Sequence, residues 1–344
     1  MFSASRSLRN SALAVLLASA TGWAAADDGR QSIVVKALRD PVDKSYRKMV
    51  KGMELFEQMH AMAPGATLRY KLLPRKRDTE LDDVALHIVA DRFDVPVTVS
   101  ADYTFTLARY QRALDADAAV RSERRASSMT WRADIRTPGL PPDTRRLGDL
   151  RLECLVGVQA GLISHYPSFI GRLIELMRTP HDFCNGSEVR YLFFAERPLF
   201  SVTLHAGDRR QSVPLGQLYA GTGRGRMPKA DLPYCDCEAL LDRAYVLPLG
   251  EQSWPDDTLV ELEYMDAPAP GVVAVDEAND AILAGSTKAE IAATLGNAAQ
   301  IHFDNGFEVW AYDYGAPAAT AEFVLLFDPR GIVAKTRLRP APPP

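Results

Sequence analysis

Four cysteines carry the sharpest chemical signal in this sequence: Cys154, Cys184, Cys235 and Cys237. In an oxidising compartment an even number of thiols points to disulfides, and four thiols allow three connectivities. A 235–237 bridge would close a very small ring. Each of Cys235 and Cys237 is therefore expected to reach a distant partner, or one bridge alone forms. The run Cys235-Asp-Cys237, with Cys184 and His181, could also ligate a metal. Structural zinc prefers a cysteine pair separated by two residues, so the disulfide reading leads and neither metal nor cofactor is expected.

Other residues with chemical potential read more plainly as structure. There is no Gly-x-Ser-x-Gly elbow, no P-loop and no His-Glu-x-x-His. The glycine-rich run from Gly221 to Arg226 is followed by Pro228 and Pro233 rather than by a helix, so it is a loop and not a phosphate cradle. Asp82-Asp83 and Asp256-Asp257 are adjacent pairs. Strand neighbours point to opposite faces, which argues against paired acid–base work and for acidic turns. Arg145 and Arg146 end a proline-rich loop and could clamp an anion, although a solvated connection is the better reading. A stripe of Tyr46, Met49, Val50, Met53, Phe56 and Met59 is a packing face rather than a partner or copper site, and His60 beside it is isolated.

The elements that must position these residues are mostly strands. Asp40-Pro41-Val42-Asp43 is expected to open a helix that Pro64-Gly65 ends. Short strands are expected at 68–73, 84–90, 96–100, 103–107, 129–135, 150–156, 189–195, 199–205 and 258–264, separated by turn residues. One helix, carrying Phe169, Ile170, Leu173, Ile174 and Met177 on one face, interrupts them. That pattern favours a sandwich-like β-rich region. Its stretch from Val84 to Leu107 resembles the repeating element of transthyretin-like, carboxypeptidase-regulatory-type modules, which implies a scaffold.

At the start of the chain, Arg6 and Arg9 precede an apolar run of about ten residues that is too short to span a bilayer. Ala24-Ala25-Ala26 then fits a cleavage site. The expectation is a signal peptide over 1–26, export to the periplasm, and no transmembrane segment. No cysteine follows the apolar run to take a lipid anchor.

Near the other end, Ser286 or Thr287 can cap a helix and Glu290 can complete a capping box with Thr287, Ile291 and Leu295 are expected to form its buried edge, and Gly296 ends it. Strands are expected at 306–314, 321–328 and 332–339, giving a helix docked on an antiparallel meander. Face matching puts Phe323 opposite Leu338 and Phe327 opposite Ala334, with Gly331 free to take a positive φ in the turn. On this register Ala321, Phe323, Leu325 and Phe327 face a core. Lys335, Arg337 and Arg339 share the other face, read as solvated beside Glu322 and Glu308 or as a contact for anionic lipid or an acidic partner. Trp310, Tyr312 and Tyr314 alternate onto one face and are either core or contact stripe, because Phe307, Val309 and Ala311 opposite them are equally apolar.

The residues Gly285-x-Thr287, Leu295-Gly296, Glu308 to Tyr314, Phe323 to Asp328 and Gly331-Ile-Val333 to Arg337 together resemble the SmpA/OmlA family of BamE-like proteins. The resemblance implies a small two-layer α+β interaction domain without enzymatic activity, linked to outer-membrane assembly and maintenance.

Composition bounds the whole. The 344 residues are 47% hydrophobic and 24% charged, which excludes a disordered chain. Forty Lys+Arg against 44 Asp+Glu gives no global case for nucleic acid. The expected fold is mainly β with α+β. It comprises a signal over 1–26, an N-terminal helical segment over 27–65, a β-rich region over 66–266 and a linker over 267–275. A BamE-like domain over 276–339 and a proline-rich disordered tail over 340–344 follow. The expected function is a non-catalytic envelope interaction or assembly factor, associated with the outer membrane and bound to an envelope protein. The alternative is a periplasmic ligand- or carbohydrate-binding protein using the β-rich region. A concave, aromatic-lined pocket within 66–266 would favour the second, and a flat exposed aromatic and basic face within 285–339 the first.

Overall fold

The computed structural model describes residues 41–163, 179–186, 191–224, 240–267, 284–314 and 321–340. The described residues belong to one compact unit, Leu38–Pro344. The expected helix at 169–177, Cys235, Cys237, residues 268–275 of the linker, the signal and residues 341–344 lie outside them.

The first element is a strand. β1 (Pro41–Ser45) pairs antiparallel with a strand at Ala119–Arg125, and α1 (Tyr46–Gln58) begins only after it. The expected cap at Asp40 is thus displaced to Ser45, whose hydroxyl accepts from the Lys48 N–H at 3.4 Å. Proline at a strand's first residue costs no ladder bond, so the Pro41 signal fits both readings and pairing decides between them. Tyr46, Met49 and Val50 are buried as the stripe predicts.

β2 (Thr67–Pro74), β3 (Leu86–Ala90), β4 (Phe93–Val97), β5 (Thr104–Phe105), α2 (Gln111–Asp115), β6 (Ala119–Arg125) and β7 (Met129–Arg136) follow. They make two open antiparallel sheets, ordered β1-β6-β3-β4 and β5-β2-β7, around a shared core of Tyr70, Leu72, Leu86, Ile88, Phe105, Val120 and Trp131.

β8 (Thr144–Arg146) leads into α3 (Leu147–Gln159). A strand was expected at 150–156. A short apolar run cannot be told from a buried helix by periodicity. Here α1 and β7 pack against α3, which leaves most of its residues buried and no polar face to betray the helical period. Gly52 of α1 makes this crossing possible: a Cβ there would sit 2.9 Å from Ala160 Cβ. α4 (Pro180–Asn185) starts at a Thr179–Asp182 capping box, and a Cys154–Cys184 disulfide ties it to α3 with Cα atoms 6.0 Å apart.

The next sheet is ordered β11-β10-β13-β8, from β10 (Leu199–Ala206), β11 (Arg209–Ser212) and β13 (Leu259–Tyr264). β9 (Phe193–Phe194) pairs with β12 (Ala244–Tyr245).

α5 (Lys288–Leu295) carries the expected capping box, with Thr287 Oγ1 accepting from Glu290 N at 3.3 Å and Glu290 Oε2 accepting from Thr287 N at 2.8 Å. A meander of β14 (Ala299–His302), β15 (Glu308–Tyr314), β16 (Ala321–Phe327) and β17 (Val333–Pro340) follows; β14 was not foreseen. Phe323 faces Leu338 as expected, and Gly331 takes φ +79°. A bulge between Leu326 and Phe327 brings Val333, rather than Ala334, opposite Phe327. Both faces of this sheet are covered. Trp310, Leu325, Phe327 and Val333 pack with Ile291 of α5, whereas Val309, Ala311, Val324 and Leu326 join the core built on α3, β10 and β13.

Candidate functional site

Two groups of charged side chains repay attention. The first is the basic stripe of β17, expected to face water. Alternation does put Lys335, Arg337 and Arg339 on one face, but that face meets β10 and β13. Lys335 is 5% exposed and Arg339 1%. Lys335 Nζ donates to the Tyr264 carbonyl and lies 3.4 Å from Glu263 Oε1; Arg337 pairs with Glu263 Oε2. Arg339 donates to the Phe200 carbonyl and lies across the Phe200 ring. Glu322 beneath them is fully buried and accepts from Leu215 N at 3.1 Å. Burial pulls the Lys335 ammonium below its usual range against the attraction of Glu263. These cations hold one sheet on another, so the stripe is neither a solvated face nor a surface for lipid or partner. Trp310 is buried against Phe327, and Tyr312 is half-buried with its hydroxyl 3.4 Å from the Gly296 carbonyl. The Tyr314 side chain lies outside the described residues.

The second group was not singled out in the sequence. β2 and β7 are adjacent antiparallel strands, with Arg69 opposite Asp134 and Lys71 opposite Arg132. Tyr70, Leu72 and Trp131 turn to the core, which puts Arg69, Lys71, Arg132, Asp134 and Arg136 on the other face. A signal existed: charges at alternate positions of two strands whose intervening residues are apolar.

That charged face forms one wall of a cleft of about 730 Å³. Residues 192–196 with Leu240 and Arg243 also line it, as do Leu81, Asp82, Asp102 and Tyr103. Its charges are knitted together. Arg69 meets Asp102 at 2.9 Å and Asp134 at 3.3 Å, Arg136 meets Asp134 at 2.8 Å and Glu196 at 3.0 Å, and Lys71 meets Glu196 at 3.4 Å. Arg132 donates to the Leu192 carbonyl at 3.1 Å and lies across the Tyr191 and Phe194 rings. Arg243 donates to the Glu196 carbonyl at 2.8 Å.

Electrostatics separates two carboxylates here. Burial opposes ionisation of Asp134, but Arg136, Arg145 and Arg69 outweigh it and hold the group below the usual range. Burial pushes Glu153 the other way, above its usual range, despite Arg145 at 2.8 Å. Glu153 and Arg145 do structural work at the end of the cleft: Glu153 Oε2 accepts from Ile135 N at 3.3 Å, and Arg145 donates to the Ile135 carbonyl at 2.8 Å. Arg146 donates to the Met62 carbonyl at 3.0 Å. The arginine pair is therefore engaged inside the fold rather than clamping an anion, while the loop before it is exposed at Pro138, Gly139 and Pro141 to Asp143, as a solvated connection requires.

The remaining candidates fall into structure. Asp82 accepts from the Tyr103 hydroxyl at 2.9 Å and Asp256 holds Arg151 at 2.6 Å. His60 contacts the Ala66 carbonyl and His181 contacts Asn185. No cluster of three or more His, Cys, Asp or Glu side chains able to hold a metal occurs among the described residues, and no helix among them is long and apolar enough to cross a membrane. Compared with protein-family models, with curated proteins and with solved structures, the chain matches none of them.

Proposed function

We propose that the protein is an exported, non-catalytic binding protein that holds a charged ligand in the cleft between β2, β7 and residues 192–196. The observation that carries this reading is the cleft itself: concave, within the β-rich region, and lined mainly by the charged side chains of β2 and β7 with Glu196 and Arg243. Guanidinium groups recognise carboxylate and phosphate with paired hydrogen bonds, and a ligand of that kind can exchange places with Asp134 or Glu196. A neutral sugar would break those ion pairs without replacing their charge, so a charged ligand is preferred to a carbohydrate. Export is supported by the signal pattern of residues 1–26 and by the Cys154–Cys184 disulfide.

The test is calorimetric titration of the full chain with small dicarboxylates, phosphate esters and acidic dipeptides, with Arg69→Ala and Arg243→Ala alongside. Binding to the native protein that both substitutions weaken supports the cleft. Binding that neither changes places the ligand elsewhere.

A role in outer-membrane assembly is a second reading. It is supported by the SmpA/OmlA resemblance and by the order of elements, a capped helix followed by an antiparallel meander. Crosslinking and pull-down of the full chain from the envelope fraction tests it; no enrichment of an assembly protein would remove it.

A further inference from the structure

The charges lining the cleft fall into two sets. Arg69, Lys71, Arg136 and Arg145 are paired with Asp102, Asp134, Glu153 and Glu196, and that network balances its own charge. Three further lining groups meet no opposite charge among the described residues. Arg243 donates to the Glu196 carbonyl and to no carboxylate. The Asp82 carboxylate accepts from the Tyr103 hydroxyl and meets no cation. Glu80, exposed beside it, has neither a hydrogen bond nor an ion pair.

The two signs stand in different places. Thr79 donates to the Ser128 carbonyl at 3.1 Å, which holds the 79–82 loop at the end of the sheet where Pro74 lies opposite Met129. Tyr103, which engages Asp82, accepts the Leu72 N–H on the side of β2 away from β7. Arg243 is tied instead to Glu196, whose carboxylate reaches Lys71 and Arg136 farther along the β2–β7 pair. From Pro74 back to Lys71 is about 10 Å of strand. Half-buried Leu73 and Leu81 also line the cleft and suit a carbon chain. Opposite charges that face one cleft without reaching each other are matched by a ligand that carries both. An anion alone would leave the two carboxylates unmatched and be repelled by them. A dipolar molecule meets both signs and leaves the internal pairs standing.

We infer that the cleft takes a dipolar ligand, a chain with a carboxylate at one end, bound by Arg243, and a primary ammonium at the other, bound by Glu80 and Asp82. The inference rests on the cleft being the binding site.

Its test titrates 6-aminohexanoate, hexanoate, hexylamine and glycine calorimetrically into the full chain. The native protein is compared with Arg243→Ala and with the double change Glu80→Gln and Asp82→Asn, which alters exposed side chains only. 6-Aminohexanoate should bind about tenfold or more tighter than hexanoate or hexylamine, and glycine, too short to reach both ends, no tighter than these. The double change should weaken 6-aminohexanoate about tenfold without weakening hexanoate. Arg243→Ala should weaken both carboxylates and leave hexylamine unchanged. If 6-aminohexanoate binds no tighter than hexanoate, or the double change leaves its affinity intact, the dipolar ligand is overturned, while an anion cleft sensitive to Arg243→Ala stands. If Arg243→Ala leaves both carboxylates unchanged, the cleft reading fails with it.

Discussion

β17 and the β2–β7 pair present the same pattern to a reader of sequence: basic side chains at alternate strand positions, apolar ones between. Their fates differ. On β17 the basic row is buried against β10 and β13, and its charge is spent on Glu263 and on the carbonyls of Tyr264 and Phe200. On β2 and β7 it faces a cleft, and its partners are the carboxylates of Asp102, Asp134 and Glu196. Alternation states that residues share a face. What covers that face is decided by elements far away in sequence, here β10 and β13 for one row and residues 192–196 for the other.

The largest expected effect is on β17. Simultaneous charge reversal of Lys335, Arg337 and Arg339 would be nearly silent on an exposed face, where ion pairs contribute about 0–1 kcal/mol each. Buried beside Glu263 and Glu322, three acids should prevent folding, seen as loss of the cooperative denaturation transition. A native-like transition would return the stripe to the surface.

Next comes the Arg145–Glu153 pair at the end of the cleft. Glu153→Ala strands a buried arginine and removes the acceptor for Ile135 N–H, so urea denaturation should show a loss of about 3–5 kcal/mol. A change under 1 kcal/mol would mean that the edge of β7 is not held by this pair.

The Cys154–Cys184 disulfide, which ties α3 to α4, is expected to contribute about 2–4 kcal/mol. Intact mass after alkylation, with and without reductant, should count at least one bridge, and peptide mapping should join Cys154 to Cys184. Reduction should lower the melting temperature accordingly.

The smallest effect concerns Asp134. Its folded-state pKa lies below the unfolded value, so its contribution is present above the ordinary carboxylate range and is lost as pH falls through the lowered folded value. Asp134→Asn should cost about 1–2 kcal/mol at pH 7 and progressively less toward low pH. A constant difference across the acid limb would show that Asp134 is not the group responsible.

Legibility followed the range of the interactions. The capping box of α5, the Phe323–Leu338 register and most strands were readable because neighbouring residues specify them. α3 was misread as a strand because tertiary burial on several sides erased its period. β1 was hidden because its signal is a partner strand nearly eighty residues away. The cleft was missed for a related reason: Arg69-x-Lys71 and Arg132-x-Asp134-x-Arg136 form one face only once β2 and β7 pair.

Lysine labelling compares the two rows within one molecule. The native protein is treated briefly with a water-soluble acylating reagent and digested, and modification is followed by mass spectrometry at Lys71 and Lys335, whose side chains are 24% and 3% exposed. Lys71 should be modified in the native state and protected by whatever occupies the cleft. Lys335 should react only after unfolding. Equal reaction of the two in the native protein would contradict the assignment of one basic row to the interior and the other to a binding cleft.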